Sequence, residues 1–173
     1  QVKQFYRCLH KNQPLLERRF IATSPKGHTL EIIAQRQLLV DKKEAMELHY
    51  SVRSINYTGP ITIIAVLRGG EDADKWCPLM NHVGDDYCWL WSQMQPLNVQ
   101  VCCAMDCHMT RNGIAVTQRP IKVEKQDVIG YSITQKLSPG DTIVLHKRVV
   151  VLDSLRHEKD GLIEDTIKCL TNW

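Results

Sequence analysis

The stretch LSPGDTIVLHKRVVVLDS, residues 137–154, decides the fold because it joins a tight turn to a long extended run. In the turn Ser138-Pro139-Gly140-Asp141, proline presets φ and glycine supplies the positive φ that other residues resist. The residues that follow, Thr142 to Leu145 and Val149 to Leu152, are mostly β-branched, which favours a pleated surface over a helix. The pattern predicts a strand over residues 141–152 that begins at a turn.

Period-two alternation recurs along most of the chain. In AMELHYSVRSIN, for example, Met46, Leu48 and Tyr50 fall on one face and Glu47 and His49 on the other, which is typical of a strand with one buried face. Turn signals separate such runs, and among them are Ser24-Pro25-Lys26-Gly27, Tyr57-Thr58-Gly59-Pro60 and Arg111-Asn112-Gly113. Strands are predicted near 18–24, 28–38, 45–56, 60–68, 86–94, 97–109, 113–118, 121–126, 127–137 and 141–152.

The predicted fold class is therefore all-β, an antiparallel sandwich of hairpins. A helix is predicted at the C-terminus, where Leu162, Ile163, Ile167 and Leu170 lie roughly on one side. Residues 69–86 show no periodicity and are predicted to form a long loop.

Length and composition are those of one ordinary globular domain, residues 1–173. The net charge of +3 is spread over mixed signs, so the sequence indicates no nucleic-acid partner. No apolar run is long enough to span a bilayer, and the N-terminus lacks a signal-peptide core, so we expect no membrane partner.

The seven cysteines are an odd set without regular spacing, which favours reduced thiols and a cytoplasmic protein. The run CCAMDCH, Cys102 to His108, invites a metal interpretation. However, Cys102 and Cys103 would point to opposite faces of a strand, and no second Cys/His pair stands at zinc-like spacing. Packed thiols are the favoured interpretation, and no metal site is predicted.

No motif for catalysis or cofactor binding is present, so we predict no catalytic and no cofactor-binding residues. Asp85-Asp86 is interpreted as a solvated turn, because adjacent side chains of a strand diverge. The seven histidines are scattered, and nothing near His49, His108 or His146 indicates a catalytic role.

Aromatic residues cluster at and after the predicted loop, as Trp76, Tyr87, Trp89 and Trp91. Trp89 and Trp91, two apart on a strand, share one face and are expected to pack against an apolar neighbour. The alternative is sugar stacking on a flat aromatic face, for which Trp76 on the loop is the best candidate.

Three blocks of the sequence resemble the N-terminal β-sandwich domain of glycoside hydrolase family sixty-five. They are ERRFIATSPKGHTLEIIAQRQLLV, MELHYSVRSINYTGPITIIAVLRGG and GDTIVLHKRVVVLDSLR, within roughly residues 15–170. The positions that carry the resemblance are Arg19 and Phe20, Pro25 and Gly27, Arg36, Asn56 with Gly59-Pro60-Ile61, and Lys147 with Val149 and Val151.

The resemblance implies an antiparallel super-sandwich of the galactose-mutarotase-like type, incomplete at its N-terminal side and followed by a helix. The family includes phosphorylases of maltose, kojibiose, nigerose and trehalose, together with some trehalose hydrolases. Their catalytic residues lie in an (α/α)6 barrel that follows the sandwich, and no position here matches them. The resemblance thus implies a non-catalytic fragment whose partner is that barrel in the same polypeptide.

The parent enzyme implied by this resemblance acts on an α-linked glucose disaccharide. It takes inorganic phosphate as co-substrate and needs no cofactor. A homodimer, and the choice between phosphorylase and hydrolase, stay open. The alternative from a different class is a stand-alone carbohydrate-binding or protein-interaction sandwich.

Overall fold

The computed structural model describes residues 1–69, 75–125 and 127–173. Within these residues the chain forms twelve strands, one turn of 3₁₀-helix at Gln95–Leu97 and one α-helix, α1, at Leu162–Thr171. The strands are β1 Val2–His10, β2 Leu15–Thr23, β3 Thr29–Leu38, β4 Ala45–Ser54, β5 Gly59–Arg68, β6 Trp76–Val83, β7 Cys88–Met94, β8 Val99–Arg111, β9 Ile114–Ala115, β10 Ile121–Glu124, β11 Val128–Leu137 and β12 Thr142–Asp153.

The strands of the described residues belong to two sheets. The larger follows the order β1-β2-β3-β4-β12-β8-β7-β6, with β9 paired to β8, and the smaller follows β10-β11-β5. Several pairs of consecutive strands are antiparallel neighbours, such as β2 with β3 from Leu15↔Gln37 to Thr23↔Thr29. The predicted all-β antiparallel class with a C-terminal helix is confirmed.

The predicted turns form for the reasons that the sequence indicates. At residues 138–141 the amide of Asp141 donates to the carbonyl of Ser138 over 3.0 Å, and Gly140 has a φ of 91°. Strand β12 begins directly after this turn and includes both β-branched stretches. In the turn between β2 and β3, Gly27 is the fourth residue, has a φ of 80° and donates its amide to the carbonyl of Ser24 over 3.0 Å.

The chain divides into two compact units, which are described separately. Unit 1 comprises Gln1–Ile63, His108–Arg119 and Ile133–Lys147, and unit 2 comprises Ile64–Cys107, Pro120–Ser132 and Arg148–Trp173. Buried residues of unit 1 include Ile32, Val52, Ile63, Ile143 and Leu145. Those of unit 2 include Leu90, Met105, Ile129, Tyr131, Leu152 and, from α1, Leu162 and Leu170.

Three expectations need correction. The predicted loop over residues 69–86 contains strand β6, while residues 70–74 lie outside the described residues. Strand β1 was not predicted at all. The strand predicted over residues 113–118 is only the two-residue β9.

In both missed strands an irregularity of the backbone interrupts the alternation of side chains from which a strand is predicted. Strand β1 has a register shift between Lys3 and Tyr6, and Gln4 within it has a φ of 54°. Strand β6 carries Pro78 and shifts register between Pro78 and Met80, and its place at the end of the sheet order lets it accommodate a proline.

Candidate functional site

The three clustered tryptophans do not form one stacking platform. Trp76 is not on a loop but is the first residue of β6, where it lies opposite Met94 of β7. Directly opposed residues share a face, and side chains alternate along a strand. Trp76 therefore lies on the face of Met94, whereas Trp89 and Trp91 lie on the other face of β7. The interpretation of Trp76 as a sugar contact stays a prediction.

Trp89 and Trp91 share one face of β7, as expected, but they are half-buried rather than fully buried. The buried row of β7 is the alternate one, Cys88, Leu90 and Ser92. Trp91 lies opposite Cys102 of β8, and α1 contacts β7. The ring of Trp89 stacks on His82, with centroids 6.1 Å apart.

The indole nitrogen of Trp91 is buried and has no acceptor among the described residues. A buried N–H without an acceptor is destabilising, because it loses its hydrogen bond to water.

The cysteine-rich run of β8 divides between the two faces of the strand. Cys102 is fully buried, and burial raises the pKa of its thiol to about 11, against a smaller lowering by the hydrogen bond with Thr166 of α1. All seven cysteines are free thiols. Within the part of the chain that the structure describes, no three His, Cys, Asp or Glu side chains are arranged to hold a metal ion.

Three of the histidines interpreted as scattered do come together, in unit 1. His49 of β4, His108 of β8 and His146 of β12 are called here the histidine cluster. The ring centroid of His146 is 4.5 Å from that of His49 and 4.7 Å from that of His108. Their strands are neighbours in the sheet order β4-β12-β8, which sequence spacing alone does not reveal.

The cluster packs as rings rather than as a metal chelate. His108 and His146 are stacked with an interplanar angle of 5°, and the rings of His49 and His146 meet edge to face at 67°. Imidazole lone pairs lie in the plane of the ring, so two parallel stacked rings direct them along separate planes. Burial is the main cause of a lowered pKa at His146, and the imidazoles of His49 and His108 lower it further.

The acidic pair Asp85-Asp86 does not form a catalytic dyad. Asp85 is exposed and makes an ion pair with Lys122, with Nζ and Oδ1 2.8 Å apart. The interpretation as a solvated turn agrees with this geometry.

An open groove of about 430 Å³ lies beside the β8–β9 hairpin of unit 1. Four of its polar side chains, Arg111, Asn112, Gln118 and Gln135, are hydrogen-bonded to other protein groups. Arg111 Nη2 lies 2.8 Å from Asp141 Oδ2, and Gln135 donates to Gln118 over 3.0 Å. Asp141 also accepts from Asn112, which is the largest cause of its pKa of about 2. The groove therefore offers no acid and base pair for catalysis.

Two of the residues that carry the family resemblance, Asn56 and Arg19, make contacts between the strands and turns of unit 1. Asn56 accepts from the amide of Thr29 over 2.6 Å and donates to the carbonyl of Gly27 over 3.0 Å, so its side chain holds the turn between β2 and β3. Arg19 of β2 pairs with Glu31 of β3, with Nη2 and Oε1 2.5 Å apart. Asn56 and Arg19, two of the positions that carry the resemblance, therefore make structural contacts in unit 1.

Comparison with known proteins supports the resemblance to the N-terminal domain of glycoside hydrolase family sixty-five. The family model described as "Glycosyl hydrolase family 65, N-terminal domain" matches residues 1–171. No curated protein matches the sequence.

The fold itself matches a solved structure from the human microbiome that carries the assignment kojibiose phosphorylase. The TM-score is 0.83 at 13% sequence identity, and the match covers 99% of this chain. The same match covers 22% of the other chain. The fold is thus that of a family sixty-five N-terminal sandwich, and the chain belongs to the N-terminal domain family of glycoside hydrolase family sixty-five.

Proposed function

We propose that this chain is the non-catalytic sandwich domain of an enzyme that phosphorolyses an α-linked glucose disaccharide, and that it serves as a scaffold for a catalytic barrel in the same polypeptide. The observation that carries the proposal is the family match over residues 1–171. The short span of the chain relative to the kojibiose phosphorylase structure, 22% of its length, supports a further domain.

The local geometry supports a scaffolding role. Glycoside cleavage needs a protonated acid at the glycosidic oxygen and a nucleophile on the opposite face of the sugar. Three of the less exposed carboxylates of the described chain form ion pairs: Asp106 and Asp153 bind Arg148 and Arg156, and Glu31 binds Arg19. We assign the acid and the phosphate site to the barrel that the family resemblance implies.

The proposed reaction follows from the chemistry of an inverting phosphorylase. A protonated Glu of the barrel gives its proton to the glycosidic oxygen, and an oxygen of inorganic phosphate attacks the anomeric carbon from the opposite face. The C–O bond to the leaving sugar breaks as the C–O bond to phosphate forms. The products are glucose 1-phosphate of inverted configuration and the released acceptor sugar. Phosphate is a co-substrate here, and no cofactor takes part.

The test uses the complete polypeptide that contains this chain, supplied separately with maltose, kojibiose, nigerose and trehalose. We expect phosphate-dependent release of β-glucose 1-phosphate from one of them. Release of free glucose at the same rate without phosphate would refute phosphorolysis in favour of hydrolysis. Inactivity toward all four sugars would refute the substrate class.

The proposal also assigns the chain to the reducing cytoplasm, which the seven free thiols support. Within the described residues no helix has the length and apolar character that a bilayer crossing requires. Thiol titration of the denatured, unreduced protein should find seven free thiols, whereas stable disulfides in freshly isolated protein would contradict the assignment.

A further inference from the structure

We propose that the histidine cluster is an acid-sensitive element of unit 1, in which three neighbouring strands are held together by uncharged imidazoles and are loosened when these rings take up protons. The proposal is independent of the proposed enzymatic function. It rests on the position of the three rings and on the charges that surround them.

The spacing of the rings makes their protonation mutually unfavourable. Ring centroids separated by 4.5 and 4.7 Å place two imidazolium charges within direct contact distance. Neutral imidazoles stack without this repulsion, so the observed packing belongs to the uncharged state. His146 has a ring on each side, and it is the member that feels both neighbours.

The surrounding charges compensate the cluster only in part. On β4, Glu47 Oε2 lies 4.0 Å from His49 Nε2, and its charge opposes the lowering of the pKa of His146. On β3, the residue opposite His49 is the neutral Gln35, whose amide donates to Glu17 of β2. Asp106, two residues before His108 in β8, is paired with Arg148, two residues after His146 in β12. Glu47 can thus balance one proton, and a second adds unbalanced charge.

The direction of the pH effect follows from proton linkage. In the folded chain the pKa of His146 is lowered from its ordinary value, chiefly by burial and then by the two other imidazoles. The unfolded chain therefore binds protons at a higher pH than the folded chain does. The contribution to stability is complete above the unfolded pKa of about 6.5 and is lost as the pH falls from there through the lowered folded value.

Imidazole NMR titration of the chain tests the coupling directly. We expect His146 to titrate below about pH 6.5, and its midpoint to rise when the exposed neighbour is replaced in His108→Gln, because a repelling charge is removed. The matched control is His10→Gln, at the exposed end of β1, which should leave His146 unchanged. A His146 midpoint that does not move in His108→Gln would overturn the proposal, as would a single titration step at the ordinary value in the wild-type chain.

Denaturant unfolding tests the consequence for stability. Each unit between the folded and unfolded pKa changes the unfolding equilibrium constant by about tenfold at acidic pH. Between about pH 7.5 and pH 5, the unfolding midpoint should therefore fall less in His146→Gln than in wild type or in His10→Gln. An equal fall in all three proteins would overturn the proposal. If His146→Gln does not fold, the titration of wild type and His108→Gln still decides.

Discussion

Strands β8 and β12 each carry a covered stretch and an open stretch at their even-numbered positions. In unit 2, Cys102 and Ala104 of β8 are fully buried, and Val150 of β12 is 1% exposed. In unit 1, the even-numbered positions of the same two strands include His108, which is exposed, and His146, which is half-buried. Each of the two strands is a single uninterrupted element, so the difference lies in which side chains the sequence places there and in what covers them.

The two stretches obtain their order from different interactions. In unit 2 the helix α1 contacts β7, its Thr166 forms a hydrogen bond with Cys102 of β8, and its Leu162 and Leu170 are buried. The guanidinium of Arg148 is bound by Asp106 and lies 5.2 Å from the ring centroid of Trp173. In unit 1 the rings of His108 and His146 stack on each other, with an interplanar angle of 5°. We therefore expect mutations to lower the free energy of unfolding most in the buried parts of unit 2. We expect a change of pH to act most on unit 1.

The largest effect is expected from Gly130→Ala in unit 2. Gly130 has a φ of 152°, and an added Cβ would lie 2.6 Å from Met105 Cε and 2.9 Å from Val66 Cα, besides meeting the carbonyl of Ala65. Backbone strain and overpacking together should lower the free energy of unfolding by about 4 kcal/mol. Urea unfolding measures it.

The matched control is Gly113→Ala in the exposed hairpin of unit 1. Its φ of 81° is also positive, but nothing lies within 4 Å of an added Cβ. Only the backbone term applies there, at about 1 kcal/mol. Equal losses at the two glycines would show that crowding around Gly130 contributes nothing.

Removal of a buried helix side chain should have the next largest effect. Leu170 of α1 is 1% exposed, so Leu170→Ala is expected to cost about 3 kcal/mol by lost burial and a residual cavity. Leu155, at 76% exposed, provides the same substitution on the surface and should cost less than about 0.5 kcal/mol. A small loss at Leu170 would mean that α1 does not stabilise unit 2.

Cysteine alkylation should separate a covered thiol from an open one. The pKa of Cys102, about 11 rather than 9.0, reduces its thiolate fraction at neutral pH about a hundredfold. Cys169 is on the exposed side of α1 and should react first in the native protein. Mass spectrometry after a short exposure to iodoacetamide should find Cys169 modified and Cys102 intact. Rapid modification of Cys102 would contradict its burial.

The smallest effect is expected at Asp141, in the turn that begins β12. Its pKa of about 2 is lowered by the hydrogen bonds from Asn112, from the amide of Ser138 and from Arg111. Since the folded pKa is depressed, the stabilisation is present above the ordinary value near 3.8 and is lost as the pH falls toward 2. Asp141→Asn should remove this part of the pH dependence, as measured by acid unfolding followed by circular dichroism. An unchanged acid profile would show that the contacts of Asp141 do not stabilise the turn.

The sequence predicted the elements whose local chemistry is self-consistent. The turn at Ser138–Asp141 and the strand after it depend on proline, glycine and β-branched residues that act within a few positions. Strands β1 and β6 escaped prediction because a bulge and Pro78 break their alternation. Local pattern fails where the backbone itself is irregular.

The histidine cluster could not be predicted because its strands are not consecutive in the chain. His49 is almost a hundred residues from His146, and only the order β4-β12-β8 makes them neighbours. The alternation in the sequence predicts which face of its strand each histidine lies on. It does not predict which strands are neighbours in the sheet. Likewise, the alternation placed Trp89 and Trp91 on one face of β7 without revealing that these two side chains are only half-buried.

Glucose 1-phosphate release by the purified chain tests the central claim most directly. The chain is incubated with phosphate and each of the four glucose disaccharides, and the product is measured by a coupled enzymatic assay. If the sandwich is non-catalytic, we expect no release of glucose 1-phosphate above the value measured in buffer. Release that depends on phosphate and rises in proportion to the concentration of the chain would contradict the account, because it would require an acid and a phosphate site within this chain.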